Sequence, residues 1–265
     1  MEVRKKFLFD GKSSLDFGCY ITGSDTFNSA SKTQSKISVP GRNGDVIVSD
    51  NRYDNVSYSI KVGMYGTSKD DLHYKIRKLR SYLLSRKGYC RLEDDYHSDE
   101  YRMAQFADSI NFDITNLIVG EATLTFDTKP QHFLKSGETK LVFTANGKIE
   151  NPTYFESKPL LRVYGQGTLE IGNGLIKIKI PSSISSNYID IDCETWNCTE
   201  ESKNMNAYVT VSKNGTEHYF PTLEVGTNQV VLGTGVTKVE VVPRWWLLWF
   251  LFYMKEQKQN LHLKV

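Results

Sequence analysis

At 265 residues the chain exceeds a typical single domain and suits two. It is 39% hydrophobic and 24% charged with a formal net charge of +2, so it has neither the basic excess of a nucleic-acid binder nor an acidic tail. A chain this long can bury a core without disulfides or metals, and its 15 Tyr and 13 Phe against 7 Pro, with β-branched residues in short runs, favour β structure.

The start, Met1 to Lys6, is charged, and the apolar Phe7-Leu8-Phe9 ends at once in Asp10-Gly11, so no signal peptide is expected. Asp10-Gly11, Asn43-Gly44, Asn146-Gly147, Asn173-Gly174 and Asn214-Gly215 tolerate positive φ and predict tight hairpin turns. Pro40-Gly41 joined to Asn43-Gly44 makes a double-turned loop suited to presenting Arg42 to a neighbour. Val56, Tyr58, Ile60 and Val62 alternate with Ser57, Ser59 and Lys61, the period of a strand buried on one face.

One helix is predicted next. Ser68 is its N-cap with Asp71 as the reciprocal acid, Leu72, Ile76, Leu79 and Leu83 recur at helical spacing, and Gly88 ends it. Strands are expected at 89–92 and 101–106, with the run Glu93 to Glu100 as a solvated hairpin tip between them. Ala122, Leu124 and Phe126 alternate with polar partners in another strand. Residues 131–151 follow Lys129-Pro130 and hold several turn dipeptides, which places a boundary there. Beyond it, short strands such as Ile176, Ile178 and Ile180 alternating with Lys177 and Lys179 give the pattern of a β-sandwich.

Catalytic chemistry finds little footing. No Gly-x-Ser-x-Gly elbow exists, the five histidines are scattered with His73 in the helix, and Gly165-Gln166-Gly167 reads as a turn. The acidic run with His97 could attract a hard cation but lacks the glycine-punctuated spacing of a calcium loop. Cys19, Cys90, Cys193 and Cys198 lack CxxC spacing and read as free thiols, although Cys193 and Cys198 could close a small disulfide. Trp196 could stack on a sugar if exposed; packing at a sheet edge is the expectation.

Several short motifs appear in a fixed order. They are Phe7 to Ser14 with Leu15-Asp16-Phe17-Gly18, then Val39-Pro40-Gly41-Arg42-Asn43-Gly44-Asp45, then Arg52-Tyr53-Asp54-Asn55 before an alternating strand and the helix. The second half adds Asn151-Pro152-Thr153 with Pro159-Leu160, Asn204-Met205-Asn206, Phe220-Pro221-Thr222-Leu223, Gly226-Thr227-Asn228 and Pro243-Arg244-Trp245. In this order the chain resembles the siphophage distal tail proteins. The resemblance implies a mostly β protein: an α+β, split-barrel-like, ring-forming domain with one helix over residues 1–133, then a galectin-like β-sandwich over 134–265 with a C-terminal apolar extension.

It further implies a structural virion protein with no enzymatic activity, cofactor or metal, and with neither membrane association nor specific nucleic-acid binding. Such proteins form a homohexameric ring at the distal end of a long non-contractile tail, after assembly from the host bacterial cytoplasm. The ring joins the tail tube protein to a tail-associated hub protein, and in some members carries receptor-binding proteins. Pro40, Gly41, Arg42, Arg52 and Tyr53 are the candidate assembly interface. The set of His, Asn, Arg and Trp that grips a galactoside has no counterpart here, and His218 alone does not supply it. The rival class is a carbohydrate-binding, lectin-like host-attachment module, marked by an exposed aromatic platform around Trp196. A wall hydrolase would need paired carboxylates or a zinc set, and a tail-tube protein would lack the sandwich.

The family's chain normally stops soon after Pro243-Arg244-Trp245, whereas here an apolar run continues from Trp246 to Met254. It falls short of the roughly 20 residues needed to cross a bilayer. It is an extra strand or helix docked on protein, or an appendage. Trp249, Phe250 and Phe252 are expected to be packed in the assembled particle.

Overall fold

The computed structural model describes residues 4–24, 28–181, 184 and 186–248, with backbone alone at Asn51. The first half runs β1 (Phe7–Phe9), β2 (Lys12–Ser13), β3 (Cys19–Ile21), β4 (Lys32–Ile37), β5 (Val46–Tyr53), β6 (Val56–Tyr65), α1 (Lys69–Ser85), β7 (Cys90–Asp94), β8 (Glu100–Gln105), β9 (Asp113–Thr115) and β10 (Val119–Leu134). All but β4 and β5 form one antiparallel sheet in the order β2-β1-β7-β8-β10-β6-β3, with β9 bonded to β10. The alternating residues behave as their period dictates: Val56, Tyr58, Ile60 and Val62 are buried, as are Leu124 and Phe126.

Against that face lies α1, whose Leu72, Ile76, Leu79 and Leu83 are all buried in one cluster with Phe7, Phe9, Phe17 and Phe126. Its ends differ from the sequence expectation. Ser68 Oγ accepts from the Asp71 amide, but the Asp71 carboxylate accepts from Thr67 rather than from Ser68, so the reciprocal cap is displaced by one residue. At the other end the extended Arg86 is the cap, and Gly88 at φ 69° turns the chain into β7.

The second half contains β11 (Leu141–Phe143), β12 (Gly147–Asn151), β13 (Leu160–Gly165), β14 (Gly167–Ile171), β15 (Gly174–Ile178), β16 (Ile189–Asp192), β17 (Asn197–Glu200) and β18 (Lys203–Asn204). It continues with β19 (Val209–Lys213), β20 (Thr216–Glu217), β21 (Gly226–Leu232), β22 (Val236–Val242) and β23 (Trp246–Leu247). Two six-stranded sheets, β11-β22-β13-β16-β17-β18 and β12-β21-β14-β15-β19-β20, close over one core. Leu161, Val163, Ile189, Ile191, Val239 and Val241 come from one sheet and meet Ile149, Leu169, Ile171, Ile176, Val211 and Val230 from the other. The chain is mostly β, as expected.

Turn chemistry placed some hairpins and misplaced others. Asp10-Gly11 and Asn214-Gly215 adopt positive φ at both residues and close β1–β2 and β19–β20. Asn146-Gly147, by contrast, carries the chain from one sandwich sheet to the other, and Asn146 Oδ1 accepts from the Leu232 amide. At Gly165-Gln166-Gly167 the chain again changes sheet. A Cβ on Gly165 or Gly167 would overlap the carbonyl oxygen of Gly235 or Thr234, and both φ values are positive, so side chains are barred there.

Residues 131–151 are more ordered than a linker. β10 runs straight through Lys129-Pro130, and its register with β8 shifts between Thr128 and His132. A bulge accommodates a proline that has no N–H to give the ladder. Its last residues then pair with β23, which returns from the far end of the chain.

Candidate assembly interface

Among the described residues β4 and β5 pair only with each other, apart from the main sheet, as a two-stranded arm. Its root is fixed by Asp54, whose carboxylate accepts from Ser31 (3.2 Å) and Thr33 (3.0 Å). Asn55 then ties the root to Tyr89 and Asp127 of the main sheet. Pro40, Gly41 and Arg42 sit together in the loop at the tip, all exposed, with the Arg42 amide donating to the Val39 carbonyl and Gly41 at φ 81°. Arg52 is exposed near the root, and Tyr53 packs edge-on against Phe155 at 6.4 Å. The five candidates therefore share one element but not one patch: three crown the tip and two lie at the base.

The apolar extension begins as a strand. Trp246 stacks on Phe155 (4.5 Å, 23°) and its Nε1 donates to the Glu156 carbonyl, while Leu247 is buried in β23 beside His132. Trp249, Phe250 and Phe252 lie outside the described residues. No helix among the described residues is long and apolar enough to cross a membrane.

The acidic run is a solvated tip only in part: Asp95, Ser98 and Asp99 are exposed, but for its other members that expectation is corrected. Asp94, His97 and Glu100 are buried, together with Arg102 on β8 and His132 on β10. Asp94 Oδ2 accepts from Arg102 NH1 (3.0 Å) and Tyr58 OH (3.1 Å), and its Oδ1 accepts from the Tyr96 and His97 amides (3.0 Å each). His97 Nδ1 lies 3.1 Å from Asp94 Oδ1. The Arg102 guanidinium also covers the Tyr58 ring at 3.9 Å, and Glu100 pairs with His132 Nδ1 at 3.0 Å. Glu100, Arg102 and Ala104 alternate inward along β8, and this run of inward polar residues was the sequence signal for the network. Among the described residues no cluster of ligands fits a metal ion.

Burial pushes the Asp94 carboxyl up, but the hydrogen bonds from His97 and the charge of Arg102 outweigh it and hold it at about 2, below its ordinary 3.8. Burial, opposed by the Glu100 hydrogen bond, holds His132 below its ordinary 6.5. Below 6.5 the unfolded chain binds a proton at His132 that the folded chain resists, so stability falls as pH drops from there. The contribution of Asp94 is present above 3.8 and is lost as pH falls through about 2. Both act in one direction. The denaturation midpoint should be level between about pH 7 and 8, decline below about 6.5, and fall again below about 4; a midpoint that rises on acidification contradicts the network.

Trp196 also departs from expectation. It is 58% exposed in the β16–β17 turn, at φ 58°, and its ring meets Tyr219 edge-on at 6.5 Å and 69°. The two rings are exposed without forming a flat stacking face. All four cysteines are free thiols; burial pushes Cys19 and Cys198 up to about 12 and Cys193 higher still. The family-like motifs of the sandwich serve its backbone. Asn151 Oδ1 accepts from Thr153 and its amide donates to the Phe155 and Leu223 carbonyls, Asn228 brackets Glu224 in the same way, and Arg244 grips Asp192 with two bonds of 2.6 and 3.1 Å.

Residues 16–128 match the model of the phage tail protein RIFT-related domain. The helix, the arm and the strands from β3 to β9 lie within the matched residues, while β1, β2 and the end of β10 lie outside them. Among solved structures the chain is similar to the Dit protein of phage SPP1, described as a paradigm of the hub adsorption apparatus of phages that infect Gram-positive bacteria. The TM-score is 0.57 at 13% identity, covering 91% of this chain and 98% of that one. It is also similar to chains of the phage P2 baseplate in its activated conformation, with calcium (TM-score 0.47, 13% identity, 90% and 98% covered) and with strontium (0.46, 12%, 89% and 97%). No curated protein matches.

Proposed function

We propose that this chain is a structural, non-enzymatic component of the distal end of a siphophage tail. A homohexameric ring built by residues 1–133 would carry the sandwich of residues 134–265 on its outside. In this reading the ring joins the tail tube protein to the tail-associated hub and its host-recognition proteins. The observation that carries it is the coexistence, in one chain, of a phage tail domain over residues 16–128 and a fold shared with SPP1 Dit over nearly the whole length of both proteins. The two separate apolar clusters support the division near residue 133. Cyclic symmetry would give every subunit the same two complementary patches, which suits a domain bearing a protruding arm.

Size-exclusion chromatography with light scattering tests the reading. A species near six times the monomer mass is expected, and a protein that stays monomeric at every concentration overturns it. The edge-on geometry of Trp196 and Tyr219 speaks against the lectin alternative, and a glycan array should be blank; micromolar binding lost in Trp196→Ala would restore it. Fully burying each large apolar side chain of the extension is worth about 1.5–3 kcal/mol, so removing residues 249–265 should lower ring stability or solubility. An unchanged melting temperature and solubility in the truncated ring would refute that role.

A further inference from the structure

The hairpin that joins β9 to β10 turns at Asn116-Leu117, with φ 53° and 62°. Such a turn ordinarily takes Asn-Gly, because a bulky side chain is unfavourable in the left-handed region. Leu117 is nevertheless held there and is 63% exposed, and Ile114, three residues earlier on β9, is 44% exposed. β9 bonds β10 on one side, and among the described residues its other edge bonds nothing. Open backbone groups and bare apolar side chains at one place are what an added strand covers.

Between this edge and α1 lies a groove of about 360 Å³, lined by His73, Arg77 and Arg80 of α1 and by Asn111, Phe112 and Ile114. Its charge is cationic. Arg77 Nε donates to the His73 carbonyl at 3.2 Å, which leaves the two terminal nitrogens of the guanidinium to bind elsewhere. The acids of α1 and β9 supply no partner for Arg77 or Arg80. Asp71 pairs with Lys75, Asp70 stands about 10 Å from Arg77 along the helix axis, and Asp113 falls on the side of β9 opposite Ile114. Nor do the two arginines serve the helix dipole, since the last turn of α1 holds no basic residue.

On the reading above that the chain assembles with other tail components, we propose that the free edge of β9 and this groove receive an extended, acidic segment of another tail protein. The segment would add to β9 as a strand, its backbone bonding the open edge and its side chains alternating between the two faces. On the α1 side its carboxylates would meet the forks of Arg77 and Arg80. Its apolar side chains would cover Ile114 and Leu117. A basic segment would be repelled at the same place.

Fluorescence anisotropy on the full chain tests this with three short labelled peptides. One is an extended sequence of Glu, Val and Thr, the second has Gln in place of Glu, and the third keeps Glu but has Pro in place of Thr. The first should bind about tenfold or more tighter than either control, and Arg77→Gln with Arg80→Gln should weaken it about tenfold or more. Lys177→Gln with Lys179→Gln removes the same charge from the exposed face of the sandwich and should leave binding unchanged. Melting temperatures check the fold of each variant. No binding of the acidic peptide, equal binding of either control peptide, or equal binding by the arginine variant overturns the proposal. Displacement by inorganic phosphate at matching concentration also overturns it, and marks a small oxyanion site. Self-association lost in the arginine variant would give the surface to a second copy instead. Rings without peptide binding sink the docking alone, whereas peptide binding by a chain that never assembles leaves the docking standing and the ring reading refuted.

Discussion

Arg102→Ala should destabilise the protein by about 3–5 kcal/mol, the cost of leaving a buried charge without its partner. The Asp94 carboxylate is only 5% exposed and depends on Arg102 NH1 at 3.0 Å, and the same guanidinium covers Tyr58. Replacing both partners, as Asp94→Asn with Arg102→Met, should cost clearly less than the sum of the two single changes, since no lone charge remains. Urea denaturation of the unaltered protein, the two single variants and the double variant measures both expectations. A loss below about 1 kcal/mol for Arg102→Ala would mean that the network contributes little.

The second large effect is expected at Phe126→Ala, at about 3–5 kcal/mol, from lost burial and the cavity left behind. Phe126 is fully buried on β10, its ring lying 5.3 Å from Phe9, 6.0 Å from Phe7 and 5.1 Å from Phe106. It thereby ties β1 and the segment just after β8 to β10, and the surrounding aromatic rings cannot close the gap without breaking their own contacts. Calorimetry should show the first half melting earlier, and ring assembly should fail at a lower temperature. A shift within the range of a surface substitution would place the centre of the core elsewhere.

What the sequence revealed, it revealed through local periodicity. The alternation at 56–62 and at 122–126, and the helical spacing of Leu72, Ile76, Leu79 and Leu83, depend on neighbours a few residues away, and those faces are buried as read. The acidic run misled because its partners are remote. Arg102 reaches Asp94 only once β8 folds back on β7, and His132 reaches Glu100 across a pairing 32 residues apart. Lys129-Pro130 looked like a break, yet a bulge inside a 16-residue strand absorbs the missing donor. Trp196 was expected to be packed, but it sits in a turn at positive φ, a backbone state that propensity does not assign to tryptophan.

The candidate interface was legible in part for the same reason. The double turn at Pro40 to Gly44 could be read as a presented loop, and it does crown an exposed arm.

Negative-stain microscopy of the purified full-length protein tests the central claim most directly. Class averages should show closed rings with six-fold symmetry, a channel at the centre formed by the first halves and six peripheral lobes formed by the sandwiches. Monomers or open, variable-length assemblies in every field, at concentrations where the protein is fully folded, would contradict a ring-forming tail component.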